Sequence, residues 1–388
     1  MKFHNLLLIT AFSFLFTAIL ISQNPQTKTI SEKEVAERIE TLNKLTPVNL
    51  VYNADVQAYI DVYTVKRREH LAKIIGLSEL YFPLFEEYLS NAGLPLELKY
   101  LAVVESALDA KAKSTSGAMG LWQFLFHASR MFDLQVNSYI DERCDPVKST
   151  IAATRYLKYL YENFNDWDLA LASYNGGIAT VNNAISKSNG NKNFWEIKNH
   201  ITTEMRGYVP AFIAVNYVMN YYESYGIKPI KPSFSFDEVE VIDLDKSVSF
   251  QQLSTLFEIS VEEIRFLNPV YIMEYIPVIS IPVQIVIPKN KMKLYNEKRH
   301  LLYEEKGPVT SALPAIGDTR GREKTIYTVA KGEFFHKIAM DYSCRVEDIQ
   351  KWNNLKHREL MAGQKLVIWK QIPKTPYFFI CQEFNFEP

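Results

Sequence analysis

The sequence of 388 residues is poor in cysteine and carries no excess of charge of either sign. Its three cysteines, Cys144, Cys344 and Cys381, are too few and too scattered for a disulfide framework or a set of metal ligands. The balance of 43 basic and 44 acidic residues disfavours nucleic acid as the main partner, because phosphate binding requires clustered positive charge. We therefore expect a folded protein that depends on packing and holds no metal and no cofactor.

Formal charge is also missing from the segment between Leu6 and Ile21, which follows Lys2 and His4. This segment is short for a bilayer span and typical of the apolar part of a signal peptide, with a retained membrane anchor as the alternative. Both interpretations of residues 1–22 predict export to the periplasm or the cell envelope. A lipid-modified cysteine at the mature N-terminus is excluded, because no cysteine lies near the end of the segment.

Helical periodicity dominates residues 35–228, where apolar residues recur at three- and four-residue spacing. This length suits one α-helical domain. Prolines and then alternating apolar residues follow, which indicates a linker leading into a strand. The chain thus divides into a helical N-terminal part and a C-terminal part of a different kind.

An internal repeat occupies the C-terminal part of the chain. The segment from Val261 to Asn268 aligns without gaps on the segment from Val346 to Asn353. In both places an amphipathic helix precedes the segment and a strand rich in valine and isoleucine follows it. We therefore expect two small β-α-α-β modules, at residues 236–289 and 325–370.

The sequence between the two copies is charged and contains Gly307-Pro308 and Gly317-Asp318. These features predict a flexible tether over residues 290–324. Two copies separated by a tether favour independent modules over a stacked solenoid. Residues 371–388 match no motif and are interpreted as a C-terminal tail.

One carboxylate stands at the end of an apolar helical run. Glu105 follows Leu101, Ala102 and Val104, so a helix would place its carboxyl group beside apolar surface. Desolvation raises the pKa of a carboxyl group, which a general acid needs near neutral pH. The alternative is a buried glutamate with a structural partner, and the glutamate alone favours that alternative.

Two turns of small and polar residues follow Glu105 along the chain. The glycines in residues 117–120 permit close approach of the backbone to a ligand. Trp122 and Gln123 offer an apolar plate and an amide for a sugar ring and its N-acetyl group. Residues 174–177, Tyr-Asn-Gly-Gly, form a second polar turn, which by itself could also be a helix C-cap.

The order Glu-Ser, Gly-Ala-x-Gly-Leu-Trp-Gln-Phe and Ala-x-Tyr-Asn-Gly-Gly resembles the lytic transglycosylases of the soluble-lytic-transglycosylase and goose-lysozyme superfamily, specifically the membrane-bound murein transglycosylase D group. The likeness covers residues 53–225 and includes the segments Trp167 to Ala172 and Tyr208 to Pro210. The two repeats resemble LysM modules. The resemblance implies a mainly α chain, with a lysozyme-like helical catalytic domain followed by two α+β modules.

The resemblance also implies a reaction and its residues. Glu105 would be the single catalytic acid/base that cleaves the β-1,4 bond between N-acetylmuramic acid and N-acetylglucosamine in peptidoglycan. The substrate's N-acetyl group would assist, and the product would carry a 1,6-anhydro ring. Glycan strands would bind both the cleft and the modules. The residues implied to contact substrate are Ser106, Gly117, Met119, Gln123, Tyr174, Asn175 and Tyr208.

Two other functions stay open at this point. A muramidase would hydrolyse the same bond, and Asp109, one helical turn beyond Glu105, is the nearby candidate for a second carboxylate. The interpretation of Asp109 as a solvated or helix-end residue is favoured over that role. A non-catalytic peptidoglycan-binding scaffold would use the modules alone. The unchanged Glu105, Gln123 and Tyr174-Asn175 favour an enzyme over the scaffold.

The sequence departs from the family pattern in three places. Leu125 to Ser129 stands where Met-Pro-x-Thr-Gly is usual, which puts the geometry of that subsite in question. We expect His127 in this segment to be a surface or helix-capping residue. The second module has Glu333-Phe334 where Asp-Thr is usual, and the first module lacks the preceding glycine, so we expect the first to be degenerate.

Overall fold

The computed structural model describes residues 30–232, 238–277, 283–303, 314–357 and 359–372. The predicted export segment, residues 1–22, lies outside this part of the chain, as does the predicted tail beyond residue 372. Among the described residues, none of the helices is both long enough and apolar enough to cross a membrane.

The N-terminal part is helical, as predicted, and surrounds one apolar core. Several helices begin at a short polar N-cap residue, whose side chain accepts a hydrogen bond from a backbone N–H group of the first turn. These N-cap residues are Asn53, Asp145, Asp166 and Thr202. The helices are α1 (Glu32–Asn43), α2 (Ala54–Asp61), α3 (Arg68–Asn91), α4 (Tyr100–Ser106), α5 (Phe126–Met131), α6 (Pro146–Phe164), α7 (Trp167–Gly176), α8 (Ile178–Lys187), α9 (Phe194–Ile197) and α10 (Thr203–Tyr221).

Helix α10 is the central element of this domain, and most of its residues are buried. It packs against α2, α4 and α7. Helix α4 is short, because Ala107 and Leu108 adopt left-handed φ angles of 52° and 65°. Glu105 therefore lies in the last turn of α4.

The C-terminal part contains the two expected modules. In the first, β1 (Val239–Leu244) pairs antiparallel with β4 (Val283–Pro288), and β2 (Val248–Ser249) pairs with β3 (Tyr275–Ile276). Its repeat helices are α11 (Phe250–Phe257) and α12 (Val261–Leu267). The second module consists of β5 (Arg322–Thr328), α14 (Phe335–Asp341), α15 (Val346–Trp352) and β6 (Lys365–Gln371), with β5 and β6 antiparallel.

One asparagine in each copy shows why the repeat aligns. The side chain of Asn268 donates to the carbonyl oxygen of Val286 at 2.8 Å and accepts from the N–H of the same residue at 2.7 Å. Asn353 makes the same pair of bonds with Val367, at 2.7 and 2.6 Å. Each asparagine thus fastens the end of the second helix to the last strand, and the two copies share one fold.

The segment between the modules differs from the prediction. Helix α13 (Met292–Lys298) packs on the first module, where the ring of Tyr295 lies 5.3 Å from that of Phe257. On the second module, Trp352 donates to the carbonyl oxygen of Gly317 at 3.0 Å. The prediction of a flexible tether over residues 290–324 is therefore wrong for residues 292–298, which form α13, and for residues 322–324, which belong to β5. Residues 304–313 of the predicted tether lie outside the described part of the chain.

Candidate active site

Glu105 is positioned by the last turn of α4 and is partly exposed. Burial raises the pKa of its carboxyl group to about 7, and the nearby Glu204 adds to the increase. A hydrogen bond from Tyr208 acts in the opposite direction. Near neutral pH the group can therefore hold a proton and release it, as acid/base catalysis requires.

Tyr208 reaches Glu105 from α10. Its hydroxyl group donates to Oε1 of the carboxyl group, and the tyrosine is buried at 7% exposure. Burial and the neighbouring Glu105 raise the pKa of this phenol well above its usual value. Tyr208 thus keeps its proton throughout the neutral range, donates a hydrogen bond to the carboxyl group and orients it from one side.

The glycine-containing turn is tied to α4 and α7 by two side chains. Ser106 is buried, and its hydroxyl group lies 2.9 Å from the carbonyl oxygens of both Ala102 and Leu121. Tyr174 on α7 donates to the carbonyl oxygen of Trp122 at 2.7 Å. These contacts set the distance between Glu105 and the turn. The sequence did not indicate that both groups would bind backbone.

The turn itself requires an unusual backbone. Gly120 has a φ of +83°, and a Cβ atom there would lie 1.9 Å from the carbonyl oxygen of Arg143, so only glycine fits. Gln123 adopts a φ of +49°. Its side-chain amide nitrogen, Nε2, donates to the carbonyl oxygens of Ala112 and Gly120 at 3.0 and 2.9 Å. Met119 is buried at 6% exposure. The turn is therefore built around its own hydrogen bonds.

Trp122 does not have the role in sugar binding that the motif predicts. Its side chain is fully buried and packs on Phe85 with ring centroids 5.0 Å apart. Its N–H donates to the hydroxyl group of Thr150 at 3.0 Å. The proposal of an apolar plate for a sugar ring is thus wrong, because the indole belongs to the core of the domain.

The structure brings only some of the predicted site residues together. Tyr174 and Tyr208 both lie close enough to Glu105 for its charge to raise their pKa values. Ser106 and Gln123 form hydrogen bonds to the backbone of the Gly117–Phe124 segment next to these residues. Asn175 lies at the C-terminal end of α7 and is partly exposed. Contacts of these residues with substrate stay predictions.

Asp109, the candidate for a second carboxylate, lies beyond the end of α4, as its interpretation as a solvated or helix-end residue predicts. Asp109 follows the end of α4 and is exposed, and its carboxylate accepts from the N–H of Lys111 at 2.8 Å. Because the helix stops at Ser106, Asp109 does not share a helix face with Glu105. Glu204, in the first turn of α10, is the carboxylate whose charge raises the pKa of Glu105. Its spacing of four residues from Tyr208 was the signal that could have found it.

The atypical segment after the turn still forms a helix. Helix α5 begins at Phe126, the position where the family has proline, and the side chain of Ser129 donates to the carbonyl oxygen of Phe126 at 2.8 Å. His127 is exposed, as expected. In the second module, Glu333 accepts from Tyr327, Ala330 and Lys337 at 2.5 to 2.8 Å. That substitution for aspartate therefore stabilises the turn in which it lies.

Comparison with protein families confirms the domain types. The transglycosylase SLT domain matches residues 83–197, the LysM-like domain of lytic transglycosylase MltD matches residues 238–304, and the LysM domain matches residues 327–369. The chain therefore carries one SLT domain followed by a LysM-like and a LysM module. The SLT and LysM matches lie within the predicted domains, whereas the LysM-like match extends beyond the predicted end of the first module at residue 289. The exact domain limits stay predictions.

Individual relatives agree with these matches. The membrane-bound lytic murein transglycosylase D of Escherichia coli (strain K12) is 27% identical over 308 residues, which are 78% of this chain and 66% of that protein. The soluble lytic murein transglycosylase of the same strain is 31% identical over 181 residues, 45% of this chain and 27% of that protein. The chain thus spans 66% of the length of the first of these relatives.

Two solved structures are also similar. The 70-kDa soluble lytic transglycosylase from Escherichia coli is 26% identical over 51% of this chain and 32% of that chain, with a TM-score of 0.34. The 70-kDa soluble lytic transglycosylase in complex with bulgecin A is 28% identical over 53% of this chain and 33% of that chain, with a TM-score of 0.35.

Proposed function

We propose that this chain, an SLT domain with two LysM-type modules, is a lytic transglycosylase that cleaves peptidoglycan glycan strands. The observation that carries the proposal is the state of Glu105. It lies within the SLT match, its pKa is about 7, and a buried phenol donates to it. A carboxyl group with a pKa of about 7 can give and take a proton near neutral pH, which supports a role in protonating a glycosidic oxygen.

In the proposed mechanism, Glu105 first gives its proton to the oxygen that links N-acetylmuramic acid to N-acetylglucosamine. As the bond to C1 breaks, the N-acetyl oxygen of the muramoyl residue stabilises the positive charge on that carbon. The Glu105 carboxylate then takes the proton from the C6 hydroxyl group of the same sugar, and O6 bonds to C1. The product is a 1,6-anhydro sugar, and no water is consumed.

Tyr208 assists the first proton transfer of this mechanism. Its hydrogen bond is stronger to the carboxylate than to the carboxylic acid, so it stabilises Glu105 after the first proton transfer. Because the phenol is buried, solvent does not compete for it. Tyr208 therefore assists the step in which Glu105 loses its proton.

A muramidase is the second candidate, and Glu204 favours it. A hydrolase that uses two carboxylates needs a second group on the opposite side of the bond. Glu204 is exposed and close enough to raise the pKa of Glu105. If Glu204 activated water, the products would end in reducing sugars instead of anhydro sugars.

Mass spectrometry of muropeptides from digested murein sacculi tests both functions. We expect anhydro products from the unmodified chain and none from Glu105→Gln, with Asp109→Asn as a matched carboxylate control that stays active. Reducing-end products that disappear in Glu204→Gln would establish the hydrolase. If the unmodified chain bound sacculi without releasing fragments, the protein would be a scaffold.

The remaining parts of the chain fit an envelope protein. We propose that the two modules bind glycan and keep the polymer near the cleft, since tethering raises its local concentration even when each module binds weakly. We also propose that residues 1–22 direct export, as a cleaved signal peptide or a membrane anchor. Fractionation of cells that express the full chain, with mass analysis of its N-terminus, distinguishes the two. Recovery in the cytoplasm would contradict both.

A further inference from the structure

The second LysM module lies against α5 of the SLT domain. The ring of Phe126 stacks on that of Phe334 at a centroid distance of 4.6 Å and an interplanar angle of 25°. It also stacks on His336, at 4.9 Å and 24°, and His127 meets Phe334 at 5.6 Å. Phe126 and Phe334 are both departures from the family pattern, and the structure shows that they contact each other.

Polar contacts extend this interface onto residues 137–143, here called the docking loop. Ser138 donates to Glu347 of the second module at 2.6 Å and accepts from the N–H of Val346 at 3.3 Å. The first module pairs with the same loop, since the N–H of Asp141 donates to the carbonyl oxygen of Val270 at 2.9 Å. Both modules therefore contact one loop of the SLT domain.

Arg143 connects the docking loop to the turn beside Glu105. Its guanidinium group is fully buried, forms an ion pair with Asp141 at 2.6 Å, and donates to the carbonyl oxygens of Gly117 and Phe124 at 2.9 and 3.1 Å. The sulfur of Met340, in the second module, lies 3.7 Å from Nη2 of Arg143. The second module therefore helps to keep water away from this arginine.

The second module also touches the turn directly. The side-chain carbons of Lys337 lie 3.6 Å from the place that a Cβ atom of Gly117 would occupy. Nearby, Lys113 of the SLT domain forms an ion pair with Asp341 of the module, and Lys337 pairs with the same aspartate at 3.2 Å. Lys337 also pairs with Glu333 at 2.8 Å, so two lysines face two carboxylates at this edge, and the aliphatic part of Lys337 covers the turn.

We propose that the second LysM module, docked through Phe126 and Phe334, is a positioning element for the Gly117–Phe124 turn of the active site. Charged hydrogen bonds from Arg143 to the turn are strong only while water is excluded. Undocking exposes Arg143 and Gly117 together, and the turn then loses its fixed position. The inference rests on the proposed function, because the turn carries residues expected to contact substrate.

Short and long substrates separate positioning from tethering. Full-length Phe126→Ala, Phe334→Ala and the double variant are assayed on a soluble murein tetrasaccharide and on sacculi. Because small displacements of a site cost catalysis, we expect each single variant to lower kcat on the tetrasaccharide about tenfold, and the double variant no further. Met131→Ala on α5 and Met361→Ala on the module, exposed by 71% and 72%, are matched controls expected to act as the unmodified chain.

Two further measurements keep the proposal independent of stability and of activity. Phe334→Tyr keeps the ring and should keep kcat near that of the unmodified chain. Urea unfolding of Phe334→Ala separates undocking from a general loss of folding, and we expect its unfolding curve to match that of the unmodified chain. Hydrogen exchange followed by mass spectrometry should rise over residues 111–145 in Phe334→Ala but not in Met361→Ala. Full kcat on the tetrasaccharide together with unchanged exchange would overturn the proposal. If the unmodified chain cleaved no murein, the proposed function would fail, while exchange would still report on docking.

Discussion

Glu105 and Asp168 are two carboxyl groups of the same domain whose pKa values are both raised to about 7, mainly by burial. Glu105 ends α4, is partly exposed and accepts from the phenol of Tyr208. Asp168 lies in the first turn of α7, is 4% exposed and accepts from the amide of Asn49 at 3.2 Å. A raised pKa therefore accompanies two different situations, and access from solvent separates them.

Each of the two groups also has an acidic neighbour that raises its pKa. For Asp168 this neighbour is Asp166. Asp166 is the N-cap residue of α7, and its carboxylate accepts from the N–H of Leu169 at 2.9 Å. For Glu105 it is Glu204, whose side chain is exposed. Asp168 is thus a buried carboxyl group with structural partners, whereas Glu105 is itself partly exposed and lies beside an exposed carboxylate.

The largest expected effect is on catalysis. Glu105→Gln should lower kcat on murein by about 10³-fold, because a sole general acid/base is lost. Asp168→Asn should leave kcat near that of the unmodified chain, because Asp168 is not accessible to substrate. Rates of anhydro-muropeptide release measure both. Equal losses in the two variants would remove the distinction.

Tyr208→Phe should lower kcat about tenfold, since it removes one hydrogen bond to a charged group. The pKa of Glu105 should rise as well, because the hydrogen bond from Tyr208 lowers it. The general acid must be protonated, so activity of the unmodified chain falls as pH rises through about 7. In Tyr208→Phe this decline should move to higher pH. Asn49→Ala, at the donor of Asp168, is the control and should leave the decline in place.

The free energy of unfolding should decrease with rising pH because of both Asp168 and Glu105. The native pKa of Asp168 is about 7 and its ordinary value is 3.8, so the native state binds more protons between these pH values. Stability is therefore lost as pH rises from about 4 to about 7. At about 1.4 kcal/mol per pKa unit, Asp168→Asn should remove about 4 kcal/mol of that loss and Glu105→Gln about 3 kcal/mol. Urea unfolding at pH 4 and pH 8 measures the differences; parallel curves for variant and unmodified chain would contradict them.

The smallest expected effect concerns the acidic neighbours. Glu204→Gln should lower the pKa of Glu105, because the charge of Glu204 raises it. The decline of kcat with pH should then move to lower pH, while the products remain anhydro sugars. Asp166→Asn changes the corresponding neighbour of Asp168 and should not move the profile. A loss of all activity in Glu204→Gln would instead favour the hydrolase.

Much of the fold was predictable because it depends on local patterns. The helical region, the two modules and the position of Glu105 in a helix followed from spacing and motif order. The limits of α4 did not, because left-handed φ angles at Ala107 and Leu108 leave no clear trace in the residue types. The tether prediction failed because the apolar residues Tyr295 and Leu302 find their partners in the first module.

The candidate site was predictable in its members and less so in their roles. Ser106 and Tyr174 were identified from the motif, yet both bind backbone of the turn. Trp122 was identified as a ligand plate and is a core residue. Glu204 was missed, because its contribution depends on the crossing of α10 over α4, which spans about a hundred residues of sequence.

The sequence by itself determined the helical domain, the repeated module and the single acid at the end of an apolar helix, since each is encoded by residues close together in the chain. Tertiary structure alone decided which carboxylate acts on Glu105, that Arg143 holds the turn, and that Phe126 meets Phe334. These features arise from contacts between distant segments. Such contacts form only when helices and modules pack, so no local pattern of residues specifies them.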